Sequence, residues 1–361
     1  MMELGQILER LASTPASDSV LATLVDVKGS GYRMAGARML IEADGRSIGT
    51  VSGGCLEADL LERAKQVRST GVPTIISYDL TKDERSVFGL GMGCQGVVRV
   101  LLEPARNNDA LDFIRECFDR RKIGAITTLI SNSGCTDLGL ASRIFSGNGN
   151  RQTFAELNGL STRVSSDAAA VLLEKRSRSV VYEDERGALE FFHEVINPPT
   201  AIHIFGAGHD AIPLTRLAGY LGWMVTVIDH RPAYADATRF PEADDIIISR
   251  PESISDDVFT DANSVAVVMN HNYDSDLAIL RRLIDSTARY IGVLGPKDRT
   301  RKLLDELGVE PNERLYAPVG LDIGATTPEA IALSIVAEIQ TVLAGRTGGF
   351  LKDREAPIYD R

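Results

Sequence analysis

The chain has 361 residues, 44% hydrophobic and 25% charged, with a formal net charge of −11. That length accommodates two domains with sizeable cores, and the composition is that of a soluble globular protein. The acidic balance argues against general binding of nucleic acid or of an anionic membrane, because phosphate surfaces demand a basic face.

The four cysteines, Cys55, Cys94, Cys117 and Cys135, form no CxxC pair; they read as reduced thiols in a cytoplasmic protein. The N-terminal stretch, Met1 to Leu11, has Leu4, Ile7, Leu8 and Leu11 at helical spacing. It predicts an amphipathic helix rather than a signal peptide, and no apolar run reaches the length of a membrane span. Val20 to Val27 and Met39 to Glu42 predict strands, separated by a first glycine-rich loop that holds Lys28, Arg33 and Arg38. A second loop, Gly53-Gly54-Cys55 with Glu57, leads into a helix over 56–67, and a strand follows at 74–78. A third, FGLGMGCQG over 88–96, holds Cys94 and Gln95 before a strand at 97–102. Glycine is the usual residue wherever φ must be positive, so each loop alone is ordinary turn chemistry. Three in one short stretch, each with a reactive or charged group, point to a ligand site. Backbone amides with Arg33 and Arg38 suit an anion. Cys55, at a helix start, is expected to have enhanced thiolate character; the plain alternative is a small buried residue.

A helix is expected over 109–121 and a strand over 123–130. ATLVDVKGS (22–30) and TTLISNSGC (127–135) share a rhythm, and each precedes an Arg-apolar strand start, Arg38-Met39 and Arg143-Ile144. The identities are few, so this is a hint of an internal repeat. Strands are expected over 168–174 and 188–195, and Asn197-Pro198-Pro199 breaks any element. The domain boundary is placed there, giving an N-terminal α+β domain, 1–197, and a C-terminal domain, 198–361.

The second half opens with a strand (201–205), a turn carrying Gly206, Gly208 and His209, a helix (212–221), a strand (224–228) and then Asp229. This is the order of a dinucleotide-binding βαβ unit, with the helix start available to a pyrophosphate. Asp229 would accept from a ribose hydroxyl, and the adjacent Arg231 blurs the discrimination against a 2′-phosphate. Strands at 245–249, 264–269 and 290–294 alternate with helices at 274–284, 299–307 and 327–343. That alternation predicts an α/β, doubly wound, Rossmann-like parallel sheet. His271 and Lys297 fall near the carboxyl ends of its strands, where such sheets bind ligands.

GSGYRMAGARML (29–40), VSGGCLEADL (51–60), FGLGMGCQG, FGAGHDAIPL (205–214), VVMNHNYDSD (267–276), GVLGPKDRTRKLL (292–304) and APVGLDIGATTPEAIALSIVAEI (317–339) together resemble the XdhC/CoxI family of accessory proteins for molybdenum hydroxylases. The resemblance implies a non-catalytic carrier that binds molybdenum cofactor, as molybdopterin or its cytosine dinucleotide form. It shelters the cofactor during sulfuration and inserts it into an apo enzyme of the xanthine dehydrogenase type. A cysteine desulfurase and that hydroxylase would be its partners, and a homodimer is allowed without being required. In such a role Cys55 would touch the soft molybdenum–sulfur centre. Two other readings stand beside it: an NAD(P)-dependent oxidoreductase using the C-terminal domain, and a thiol enzyme using Cys55 or Cys94.

Overall fold

The computed structural model describes residues 2–14, 18–29, 31–80, 96–134, 136–147, 150–151, 155–259, 261–310, 312–356 and 358. Two compact units emerge, Glu3–Pro198 and, together with the extreme N-terminus, Pro199–Arg361.

The first unit runs α1 (Met2–Ser13), β1 (Val20–Gly29), β2 (Arg38–Ile41), β3 (Ser47–Gly49), α2 (Glu57–Thr70), β4 (Thr74–Asp79) and β5 (Gly96–Pro104). It continues with α3 (Asp109–Asp119), β6 (Gly124–Asn132), β7 (Arg143–Gly147), β8 (Asn150–Arg151), α4 (Ser161–Glu174), β9 (Arg178–Asp184) and β10 (Gly187–Ile196). Two five-stranded antiparallel sheets result, in the orders β3-β2-β1-β5-β4 and β8-β7-β6-β10-β9. Each strand of the second therefore takes the place of one in the first, and the hinted repeat is a duplicated fold.

The correspondence holds residue by residue. Thr23 pairs with Arg38 and Thr128 with Arg143. The register slips past Val25 in one copy and past Ile130 in the other. Gly29 and Gly134 both have positive φ, as do Gly36 and Ala141. α2 and α4 each bury three residues at the same spacing, Leu60, Ala64 and Val67 against Val164, Ala168 and Val171. Each of these helices ends on a left-handed residue, Gly71 or Lys175.

The copies grip each other reciprocally. Arg38 of the first donates two hydrogen bonds of 2.6 Å to Glu194 of the second. Arg143 of the second donates one of 2.5 Å to Glu103 of the first. These four side chains are buried. Arg99 and Glu190, themselves equivalent, pair with each other, with Asp26 on the same guanidinium. Val25, Leu101, Ile130 and Phe192 form the apolar cluster between the copies. This is the pattern of an isologous interface, folded into one chain.

Residues 168–174 are a correction: they are helical, in α4, where a strand was expected. A short apolar run cannot distinguish a buried strand from a helix, and here the spacing of Val164, Ala168 and Val171 decides for the helix.

The second unit is the expected parallel sheet. Its elements are β11 (Ala201–Phe205), α5 (Ala211–Tyr220), β12 (Met224–Asp229), β13 (Asp245–Ile248), β14 (Ser264–Val268), α6 (Tyr273–Ile284), β15 (Tyr290–Val293), α7 (Lys297–Leu307), β16 (Leu315–Tyr316) and α8 (Pro328–Leu343). The strands lie parallel in the order β13-β12-β11-β14-β15-β16. One core cluster packs Ile202, Ile204, Val225 and Val227 against α5 and α8. Another packs Phe205, Ala266 and Val268 against α6 and α7. Burial of both faces explains the near-continuous apolar strands. α6 is capped by Asn272, whose side chain accepts from the Ser275 N–H at 2.9 Å.

Replacing Arg38 by Met strands a buried carboxylate and is expected to lower stability by about 3–5 kcal/mol. Replacing Arg38 and Glu194 together by Met and Leu should recover most of that loss. Denaturant unfolding reads both; wild-type stability in R38M would show that the pair does not hold the copies together.

Candidate functional site

In the C-terminal unit, β11 runs into Gly206, whose φ is +116°. A Cβ there would lie 2.8 Å from the Met269 carbonyl oxygen, so only glycine fits. Gly208 is different: its nearest neighbour is His271 Nε2, at 3.6 Å from an added Cβ. The turn enters α5, whose start has no side-chain cap. A helix start without a side-chain cap suits an anion, but here the Ala211 and Ile212 N–H groups donate to the Gly208 and His209 carbonyls at 3.3 Å and Pro213 has no N–H, so only the turn ahead of the helix offers amides. His209 and His271 are both exposed beside this turn.

Asp229 departs from expectation. Its carboxylate is buried, and both oxygens already accept hydrogen bonds. Oδ2 takes the Ala207 N–H at 2.8 Å and an Arg231 guanidinium N–H at 2.7 Å, and Oδ1 takes the Arg231 backbone N–H at 2.9 Å. Burial by itself raises its pKa; the Arg231 guanidinium and the two N–H groups outweigh that and hold it at about 2. Arg231 in turn lies over the Tyr234 ring, 4.0 Å from its centroid. Asp229 is thus a brace of the glycine turn, and a ribose hydroxyl would have to displace Arg231 to reach it.

A polar group that the sequence reading did not single out lies at the end of β14. Asp276, on α6, is buried and accepts from Arg299 at 2.7 Å. Burial pushes its carboxyl up to about 6 against the pull of Arg299. Its Oδ1 and the nearby Asn270 Nδ2 make no hydrogen bond of ordinary geometry. The signal was present, since an aspartate shares the buried face of α6 with Ile279, Leu280 and Leu283. Arg299 is therefore engaged, Arg301 faces Asp298 at 3.4 Å, and Lys297 is exposed at the start of α7.

In the N-terminal unit the predicted site residues divide. Arg38 is a correction: its guanidinium is buried on Glu194 and is not available to an anion. Glu57 is another. It accepts from the Ser52 N–H at 2.9 Å, the Leu56 N–H at 3.1 Å and the hydroxyls of Thr50 and Ser52, and so braces the Thr50–Leu56 turn. Arg33 is half-exposed and pairs with Glu3. Gly53 and Gly54 are exposed, and the Tyr32 ring lies 3.5 Å from where a Gly53 Cβ would be. Cys55 is half-buried, its Sγ 3.4 Å from Ser52 Oγ. Cys55, Ser52, Tyr32 and Arg33 line one pocket with Leu24 and Val98 beneath. Cys117, by contrast, is buried in α3, and burial pushes its thiol up to about 11. Cys94, Gln95 and Cys135 lie outside the described residues. Among those described, no group of three or more His, Cys, Asp or Glu could hold a metal ion.

Residues 202–339 match the XdhC Rossmann domain, and residues 16–79 match the XdhC and CoxI family. The chain is 36% identical over 324 residues to a protein of Bacillus subtilis described as a probable subunit of xanthine dehydrogenase, covering 89% of this chain and 92% of that one. It is 24% identical over 329 residues to the molybdenum cofactor insertion chaperone PaoD of Escherichia coli, covering 90% of this chain and 83% of the other. A crystal structure from Bacillus halodurans, described as a xanthine dehydrogenase, superposes with a TM-score of 0.77 at 32% identity, over 96% of this chain and 97% of that chain.

Asp229→Asn is expected to lower stability at neutral pH by about 2 kcal/mol, the worth of a carboxyl held nearly two pH units below its ordinary value. A depressed carboxyl stabilises the fold above its unfolded pKa. The gap between wild type and variant should therefore be full above pH ~4 and close as pH falls towards about 2. Unfolding curves across that window check it, and a gap independent of pH would refute it. Gly206→Ala should destabilise the unit, whereas Gly208→Ala should leave its thermal unfolding unchanged.

Proposed function

The chain belongs to the XdhC and CoxI family, and on that premise we propose that it is an accessory protein that carries molybdenum cofactor. It holds the cofactor, as molybdopterin or its cytosine dinucleotide, while the terminal sulfur is installed, and then inserts it into an apo hydroxylase of the xanthine dehydrogenase type. A cysteine desulfurase is the partner that supplies the sulfur, and the cytoplasm is where the exchange takes place. The observation that carries this reading is the extent of the match to the insertion chaperone, which spans 90% of this chain and so includes both units. A carrier needs grip without turnover. The pocket at Cys55 provides a polarizable sulfur, and the turn over 208–210 that leads into α5, which no side chain caps, is the place for a phosphate. Among the described residues no helix is long and apolar enough to cross a membrane.

The oxidoreductase reading has less support. Its chief residue, Asp229, is already bonded through both oxygens. NAD(P) is the alternative occupant of the C-terminal crevice under that reading.

Purified protein mixed anaerobically with molybdenum cofactor, and separately with NADH or NADPH, should retain the cofactor near one per chain through a desalting column. It should also raise the activity of a molybdenum-free apo hydroxylase. Retention of nicotinamide nucleotide alone, with no pterin, would replace this proposal with the oxidoreductase.

A further inference from the structure

The duplicated fold supplies its own comparison. The first copy has a pocket between the loop after β1 and the turn before α2, over a floor of Leu24, Leu56 and Val98. By the strand registers and helix caps, the second copy places Leu129, Leu160 and Leu189 at the same three positions. There the space is filled. Leu138 stands where the first copy has Arg33, in a loop of equal length with positive φ at equivalent points. Leu157, fully buried, matches Gly53 when counted back from the starts of the two helices, and lies in a 3-10 turn, Ala155–Leu160, that the first copy lacks. Both leucines pack into one apolar cluster with that floor. Gly159 takes the position of Cys55, and Asp137 that of Tyr32. One copy is closed by leucines, while the other keeps a small cavity of about 20 Å³ rimmed by a thiol, a hydroxyl, an exposed aromatic ring and a guanidinium.

From this asymmetry we propose that the first copy's pocket receives the sulfur-bearing, anionic end of a planar heterocyclic cargo, and that the second copy is a scaffold whose equivalent pocket Leu138 and Leu157 have closed. The assignment rests on the carrier reading above and locates its site. Core packing alone would favour the leucines, since filling a pocket stabilises a fold. The open copy forgoes that and keeps Tyr32 63% exposed. An exposed ring offers a face on which a heterocycle stacks. The Cys55 sulfur, lying inside the rim, suits a soft sulfur or metal centre. Arg33 is paired with Glu3 at a half-exposed position, so an incoming anion can exchange for that carboxylate at little cost. The Arg38–Glu194 pair anchors the start of β2 and keeps the far end of the first loop fixed against the other copy.

The test moves the second copy's leucines into the first and removes the exposed ring. The probe is molybdenum cofactor released anaerobically from a purified molybdoenzyme, with retention read as pterin fluorescence after desalting. Gly53→Leu, Arg33→Leu and Tyr32→Ala should each reduce retention at least tenfold, with circular dichroism unchanged for the surface variant Tyr32→Ala. Asp137→Ala, at the matching position of the second copy, should retain cofactor as the wild type does. In the wild type, cofactor should slow iodoacetamide alkylation of Cys55, followed on its own peptide by mass spectrometry, at least tenfold. Retention by Tyr32→Ala and Arg33→Leu equal to wild type, or alkylation of Cys55 indifferent to bound cofactor, overturns the pocket while leaving the carrier reading intact. A wild type that retains no cofactor overturns both.

Discussion

Two buried guanidinium–carboxylate pairs, Arg38 with Glu194 and Arg143 with Glu103, hold the N-terminal unit in its form. They are one interaction made twice, because the chain contains the same fold twice. A buried ion pair is poor evidence of net stability, since desolvation opposes the attraction. Its force lies in specificity. A carboxylate and a guanidinium taken out of water must meet each other, so the copies can dock in one register only. The pairs also explain Gly36. A Cβ there would come within 2.9 Å of the Glu194 carboxylate, so the loop carrying Tyr32 and Arg33 passes close under its anchor.

That anchoring is the setting of the proposed pocket. Once the copies brace each other, the proposal needs only one of them to present a ligand surface. The second repacks with leucines and contributes rigidity, while the first keeps a pocket that packing energy alone would have filled. A site built on fixed strands and a braced turn is better defined than one on free loops. Glu57 is part of that bracing: with four donors on its carboxylate, the turn that presents Cys55 has little freedom.

The C-terminal unit applies the same logic to a different fold. Asp229 closes the glycine turn through the Ala207 N–H and immobilises Arg231. Beyond it, Asp276 sits buried at the carboxyl end of β14, raised to about 6 and half-satisfied by Arg299. Unlike pKa displacements at the ends of the two strands that flank β11, one depressed and one raised, mark the carboxyl end of the sheet as electrostatically tuned.

Much was legible before any coordinate. Alternating apolar strands and amphipathic helices with Gly206-Ala207-Gly208 between them are enough for a doubly wound parallel sheet, because both faces of such a sheet must be covered and the turn geometry demands glycine. The matching rhythm of 22–30 and 127–135 was also real, though thin: strand register preserves spacing while side chains diverge. What the sequence could not decide was which charges are free. Arg38 and Arg33 look alike in GYRMAGAR; one is buried against a glutamate more than a hundred residues away, the other reaches the rim of a pocket. Asp229 and Arg231 look like ligand groups until folding brings the Ala207 amide to the same carboxylate. Local pattern determines most of the elements, because periodicity and turn chemistry are local, though a short apolar run such as 168–174 leaves strand and helix undecided. Partnership between charges is set by contacts distant in sequence, and only the tertiary structure decides it.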